Sequence, residues 1–259
     1  MLFAMSSWGK APGDSAQEKY DELLRSWRRR NRKPFVVVAL VCGAILVASF
    51  GAARIWPPLA WCFGVFGGAA LAFWLLARLT PPGWIENWQS GAWGEQATAR
   101  ALRELENEGW IVLHDLPMGR GNVDHIVIVP AGVYLLDSKR LGGVVSVDDQ
   151  GVTVRRLDDP ALTYRQAGDA HLLRLARQTH QQILSASRIR TWVTPVMVIW
   201  ADFPQDVAEG RCTYVHGDQL VSWLRSRPAA IAPTRVRQVA DAVRMAWDPT
   251  TQRAAQPEA

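Results

Sequence analysis

The residues best able to do chemistry lie between Val123 and Lys139: Asp124, Asp137 and Lys139. Asp137 and Lys139 stand two apart in an apolar, β-rich run, so on a strand they share a face. Asp124 opens the preceding run. Two carboxylates and an ammonium in one place suit metal-assisted phosphodiester hydrolysis. Mg²⁺ prefers hard oxygen ligands and keeps several of its waters, and it activates water while clamping phosphate oxygens. A lysine orients the water or offsets the charge that develops on phosphate. The same spacing also serves an ordinary ion pair at a strand end, and D-x-K alone does not choose between them. Register bears on the choice. A two-residue hairpin loop at Ala131-Gly132 sets Asp124 opposite Lys139 and Ile126 opposite Asp137, all on one face, whereas an odd-length loop turns Asp124 away.

Composition singles out Lys139. From residue 84 onward the chain has 18 arginines and one lysine. A lysine kept where arginine is the habitual cation suits a need for a compact point charge with rotatable donors; chance survival of one lysine is the competing account.

Taken together, Gly94-Glu95, Val123-Asp124-His125-Ile126-Val127-Ile128, Gly132-Val133-Tyr134-Leu135-Leu136-Asp137-Ser138-Lys139 and the following Gly142-Gly143 resemble the NERD family, the nuclease-related domain. The resemblance covers roughly residues 91–200, weakening toward the end. That family looks like a branch of the PD-(D/E)xK restriction-endonuclease-like superfamily. The resemblance implies a catalytic set of Glu95, Asp124, Asp137 and Lys139. Asp124 and Asp137 would be the principal ligands of Mg²⁺ or Mn²⁺, with Glu95 reaching the ion directly or through water and Lys139 positioning the nucleophile. The resemblance also implies a glutamine on a later helix, a place for which Gln166 competes with Gln178, Gln181 and Gln182. The chain departs from the NERD pattern at Asp137, where glutamate is commoner; the shorter side chain would draw the metal about one methylene closer to the strand.

These residues need elements to position them. Residues 92–107 read as a helix with Ala97, Ala101, Leu102 and Leu105 on one face, ended by Gly109. Strands are expected at 110–114, 123–129 and 133–139, with a loop at 117–121 and a break at Gly142-Gly143. A hairpin follows, 144–147 with 152–156. Asp158-Asp159-Pro160 opens a long helix to about Ser187, and 192–200 is a strand apolar on both faces. Residues 213–215 add a strand, Asp218 caps a short helix before Pro228, and 233–247 form a terminal helix, with a disordered tail after Asp248. The expected fold is therefore α/β, a mixed sheet flanked by helices.

Ahead of this lie two charge-free apolar runs of 19 residues, 35–53 and 59–77, separated by Arg54-Ile55-Trp56-Pro57-Pro58. Each is close to the ~20 residues a helix needs to cross a bilayer, so a transmembrane hairpin is expected to precede the α/β domain. A secretory signal is a poor fit, because a leader of 33 residues precedes the apolar run; a buried helical hairpin is the other alternative. Arg25, Arg28, Arg29, Arg30, Arg32 and Lys33 flank the first run, so the positive-inside rule puts both termini in the cytoplasm, at the cell membrane. This cluster is also a place for anionic lipid headgroups, near Arg28–Lys33. Gly64, Gly67 and Gly68 offer close helix packing, within a hairpin or between copies. The resulting divisions are 1–33, a basic cytoplasmic segment; 34–80, two transmembrane helices; 84–228, the nuclease-like domain; and 229–259, a terminal helix and tail.

The net charge of +5 is localised: residues 1–33 contribute +4 and residues 34–83 +2, which leaves −1 for 84–259. The positive charge is thus juxtamembrane, and it says little about nucleic-acid binding by the soluble part. Cys212 is the sole cysteine there, so no disulfide framework is possible, as suits a reducing compartment. His125 is expected to face away from Asp124 and to be packed or hydrogen-bonded. His171 and His180 share a helix face but lack a third ligand. Arginines 165, 174, 177, 188 and 190 suggest a basic stripe on the long helix, solvated or on phosphate. The function expected is a membrane-anchored Mg²⁺-dependent endonuclease acting on DNA or RNA. The alternatives are an inactive nuclease fold that binds nucleic acid or a protein partner, and a membrane scaffold whose hairpin matters most.

Overall fold

The computed structural model describes residues 11–118 and 121–247. The chain divides into two compact units, Gln17–Gln89 and the described residues of Met1–Ala16 with Ser90–Ala259. The loop core expected at Gly119-Arg120 and the tail after Asp248 lie outside the described residues.

The first unit is helical. It takes in most of α1 (Asp14–Arg30), then α2 (Arg32–Ile55), a 3₁₀ turn at Pro57–Leu59, and α3 (Ala60–Leu79). Both apolar runs are thus helices, each long and apolar enough to cross a membrane. Only 6% and 11% of their most apolar stretches are buried, whereas the core helices of soluble domains are mostly buried. Val37, Leu40, Phe50, Phe66 and Leu76 all point outward, an arrangement costly in water. Of the three glycines expected to pack, Gly67 faces Leu46 and Ser49 of α2, while Gly64 and Gly68 meet open space.

The second unit holds a mixed sheet between helical layers. Its strands are β1 (Ile111–Met118), β2 (Gly121–Val129), β3 (Gly132–Asp148), β4 (Gly151–Arg156), β5 (Thr163–Gln166), β6 (Val193–Asp202), β7 (Val207–Ala208) and β8 (Thr213–His216). The central order is β1-β2-β3-β6-β8-β7; β4 pairs with β3, and β5 with β4. β3 runs parallel to β6 and β6 to β8, whereas the remaining pairs are antiparallel. Strand alternation sends Ile126, Ile128, Val133 and Leu135 to one face, covered by α5 (Asp169–Ser187) and α7 (Pro233–Trp247). It sends Val127, Val129, Tyr134 and Leu136 to the other, covered by Leu102 and Leu105 of α4 (Gly83–Asn107) and by α6 (Leu220–Ser226). Burying each such side chain contributes about 1.5–3 kcal/mol.

Several expectations change. α4 begins at Gly83, since Gly91 is tolerated within the helix, and it ends where Gly109 takes φ +88°. Pro117, Met118 and Gly121 lie in strands rather than in a loop. Gly142-Gly143 does not break β3 but marks a register shift in it. A Cβ on Gly143 would stand 2.3 Å from the Arg155 carbonyl oxygen, so only glycine lets β4 approach. Finally, the long helix starts at Asp169, because residues 163–166 form β5 on the edge of β4. The residue capping the turn before α6 is His216, whose Nδ1 accepts from the Asp218 amide, in place of Asp218. α7, read from sequence as a separate terminal helix, packs in the same core, and Trp247 Nε1 donates to the Pro117 carbonyl at 3.0 Å.

Candidate active site

The site forms where a ladder is interrupted. β6 holds one edge of β3 from Val133 to Arg140. On the other edge, pairing with β2 ends at His125↔Leu136, and pairing with β4 begins at Gly143↔Arg156. The turn joining β2 to β3 is Pro130-Ala131, one residue earlier than the spacing suggested, because Val129 already pairs with Gly132. Continuing that register sets Asp124 opposite Asp137 instead of Lys139. The loop still has an even length, so Asp124, Asp137 and Lys139 project to one face, that of α5 and α7. In the gap, the Ser138 amide has no strand partner and donates to Asp124 Oδ2 at 2.7 Å. Lys139 Nζ stands 2.8 Å from Asp137 Oδ2.

Glu95 arrives from α4, on the opposite layer. A hydroxyl network holds that helix to β3 and β6. Thr98 Oγ1 donates to the Gly94 carbonyl at 3.1 Å, and it accepts from Ser138 Oγ at 2.7 Å and from Trp200 Nε1 at 2.8 Å. Gly94 lies against the Arg140 backbone, where an added Cβ would already be in contact at 3.5 Å. Glu95 is buried at this crossing, and its Oε2 has no hydrogen-bond partner.

A further carboxylate, unforeseen from sequence, joins the cluster. Asp115 falls opposite Asp124 between the pairs His114↔His125 and Leu116↔Val123. It is buried, adopts φ +47°, and accepts from Ser15 N at 3.1 Å, Ser15 Oγ at 2.7 Å and Asn122 Nδ2 at 2.6 Å. Nothing local marks it: its partner Ser15 is 100 residues away.

The electrostatics follow from burial and crowding. Burial, then the charges of Asp124, Asp115 and Asp137, push the Glu95 carboxyl up to about 9, with Lys139 opposing. Asp124 is pushed up to about 7 by burial and by Asp137; Lys139 and the Ser138 amide oppose this. Burial works against the Lys139 ammonium, but Asp137, Asp124 and Glu95 outweigh it and hold its pKa above the ordinary lysine value. One ammonium among four carboxylates leaves a local excess of negative charge.

Among the described residues, no three His, Cys, Asp or Glu side chains stand ready-made around a metal position. Most of the donors are turned to protein partners: Asp137 to Lys139, Asp124 to Ser138, Asp115 to Ser15 and Asn122. The donor set nonetheless fits a hard divalent cation. It is all oxygen, it repels itself, and Glu95 Oε2 is buried without a partner.

Gln166 stands on β5 rather than on a helix, paired with Val152, and its Nε2 donates to the Ala167 carbonyl at 2.9 Å. His125 faces the α4 layer, fully buried, with its Nδ1 2.8 Å from His114 Nδ1. His171 meets Arg174 and His180 meets the Thr191 carbonyl. Of the arginine stripe, only Arg174 and Arg177 are on α5; Arg165 is on β5, bound to Gln150. A cleft of about 790 Å³ at the start of α5, lined by Asp169, Arg174, Arg177 and Tyr214, does not include the carboxylate cluster.

The oxygen donors and the lysine thus stand at a split in a mixed sheet flanked by helices. Residues 90–200 match the family model of the nuclease-related domain, NERD, so this chain carries a NERD domain preceded by two apolar helices. The sheet and its helical cover continue beyond the matched segment through α6 and α7. No curated protein and no solved structure matches the chain.

Proposed function

We propose that this protein is a membrane-anchored nuclease whose NERD domain hydrolyses nucleic-acid phosphodiester bonds with a divalent ion, Mg²⁺ or Mn²⁺. The observation that supports the reading is the placement of Asp124, Asp137 and Lys139 at one interrupted edge of β3, with the buried, unpartnered Glu95 near enough for all three charges to act on its carboxyl. Asp124 and Asp137 would be the principal metal ligands, with Glu95 binding directly or through water; when bound, the ion would supply Lewis-acid polarisation of the phosphate and activation of water. Lys139, held in the cluster by Asp137, orients the attacking water and offsets charge on the phosphate oxygens. Thr98, Ser138 and Trp200 act as positioning residues by fixing α4, and so Glu95, against β3. Gln166, on β5 instead of a helix, is the remaining candidate of the set.

The two helices form a bilayer anchor, supported by their length, apolarity and outward-facing side chains. The basic residues ahead of α2 support cytoplasmic placement of both termini, with DNA or RNA as the accessible substrate.

A second reading, a nuclease fold that binds without cutting, is favoured by the charge of −1 over residues 84–259. The two part on one assay: full-length protein in detergent, with Mg²⁺ or Mn²⁺, on labelled DNA and RNA. Metal-dependent cleavage that disappears in Lys139→Ala and Asp137→Ala supports the enzyme. Binding with no cleavage under any divalent metal selects the second reading.

A further inference from the structure

We infer that the shared end of α2 and α3 is a binding site for one anionic glycerophospholipid, an inference that rests on the anchored reading. A cavity of about 350 Å³ opens there, within the unit Gln17–Gln89. Four arginines line it: Arg28 and Arg29 from the end of α1, Arg32 from the first turn of α2, and Arg78 from the last turn of α3. No carboxylate is among its lining residues. Farther along the helices its wall is apolar, formed chiefly by Phe35, Val36 and Trp74. Trp27 meets Phe35 edge to face at 5.2 Å, and the Arg78 guanidinium lies 6.0 Å from the Trp74 ring centroid, so both sides of the opening are shaped.

The cavity therefore passes from guanidinium to hydrocarbon along the helix direction. A phospholipid has the same polarity: a phosphate that guanidinium forks bind in two-point fashion, then acyl chains. A nucleic acid supplies the phosphate but nothing for the apolar wall. Basic cavities between membrane helices on the cytoplasmic side suit such headgroups. The neighbouring cleft around Glu22, Arg25 and Arg30 has a carboxylate in its lining, so it offers a charge-matched control.

The test uses the full chain in two steps. Carbonate extraction from vesicles of phosphatidylcholine with phosphatidylglycerol asks whether the chain is embedded. Native mass spectrometry in detergent then counts bound phosphatidylglycerol against phosphatidylcholine. The expected result is retention after extraction, one preferentially bound phosphatidylglycerol, and a loss of affinity of roughly thirtyfold in R32Q/R78Q with little change in R25Q/R30Q. R32K/R78K keeps the charge but loses the two-point fork, so it should keep a weakened preference for the anionic lipid, which covers the case of a misfolded glutamine variant. Release by carbonate removes the anchor and this site with it. Retention without preference for the anionic lipid, or equal loss in both glutamine variants, overturns the site alone, as does displacement of the lipid by a single-stranded oligonucleotide.

Discussion

His114 and His125 form one rung of the β1–β2 ladder, and Asp115 and Asp124 fall on the next. Both rungs hold buried polar side chains, and they meet the cost of burial differently. The histidines become neutral. Burial and the neighbouring imidazole press His125 down to about 3, and His114 is lowered as well, chiefly by burial; the two nitrogens then share one hydrogen bond. The carboxyls are neutralised the other way: burial and mutual repulsion keep a proton on Glu95 and, up to about pH 7, on Asp124, against the pull of Lys139 and, at Asp124, of the Ser138 amide. Each cluster keeps one buried polar atom without a partner, His125 Nε2 and Glu95 Oε2, so what separates them is charge: an imidazole becomes neutral by losing a proton, whereas a carboxyl must hold one or meet a cation.

The contrast can be broken at adjacent residues. Asp124→Asn should lower metal-dependent cleavage about 10³-fold, some 4 kcal/mol of transition-state stabilisation. The same change should raise the metal-free unfolding midpoint at pH 8, because a repelling charge is gone. A loss of cleavage explained by unfolding would sink the distinction.

His125→Ala should do the opposite. It leaves a cavity and strips His114 of its partner, so stability should drop about 3 kcal/mol in urea titration. Cleavage per folded molecule should be unchanged; a large fall in kcat would make the histidine pair part of the chemistry.

The response to pH sharpens the comparison. Folded pKa values of Glu95 and Asp124 lie above their ordinary 4.5 and 3.8. Their contribution to stability is thus complete below about pH 4 and drains away as pH rises through about 7 and then about 9. The depressed value of His125 works in reverse: its contribution is complete above 6.5 and lost as pH falls toward 3. On the proposed reading, a bound metal would replace the protons on these carboxyls. Mg²⁺ at a hundredfold excess over its pH 9 Kd should therefore stabilise by about 2.7 kcal/mol at pH 9, and the same concentration by less at pH 6. Equal shifts in calorimetry at the two pH values would contradict a metal site at Glu95 and Asp124.

The smallest effect is expected at Thr98. Thr98→Val leaves Ser138 Oγ and Trp200 Nε1 unpaired and should cost about 1–2 kcal/mol. As a positioning residue it should lower kcat more than it raises KM, and Thr98→Ser should restore most of the rate. Loss of stability alone, with kcat intact, would reduce the network to scaffolding.

The local patterns were legible from sequence. The apolar runs, the alternation on β2 and β3, and the face shared by Asp137 and Lys139 all follow from helix and strand periodicity, which needs no distant partner. Glu95 was legible only through the family resemblance, because nothing about a glutamate on an amphipathic helix says that its carboxyl will cross to a strand edge. Gly142-Gly143 read as a break and is a close approach. Its meaning depends on Arg155, which the hairpin brings back.

By itself the sequence determined which segments are apolar enough for a bilayer or a core, which residues alternate on each strand, and which side chains carry charge. Tertiary structure alone decided that the β2–β3 turn falls at Pro130-Ala131, that Asp115 joins the cluster through Ser15, and that Thr98 ties α4 to β3. Periodicity is a property of neighbours in the chain. Register across strands, and the burial that shifts a carboxyl from about 4 to about 9, exist only once segments a hundred residues apart exclude water together.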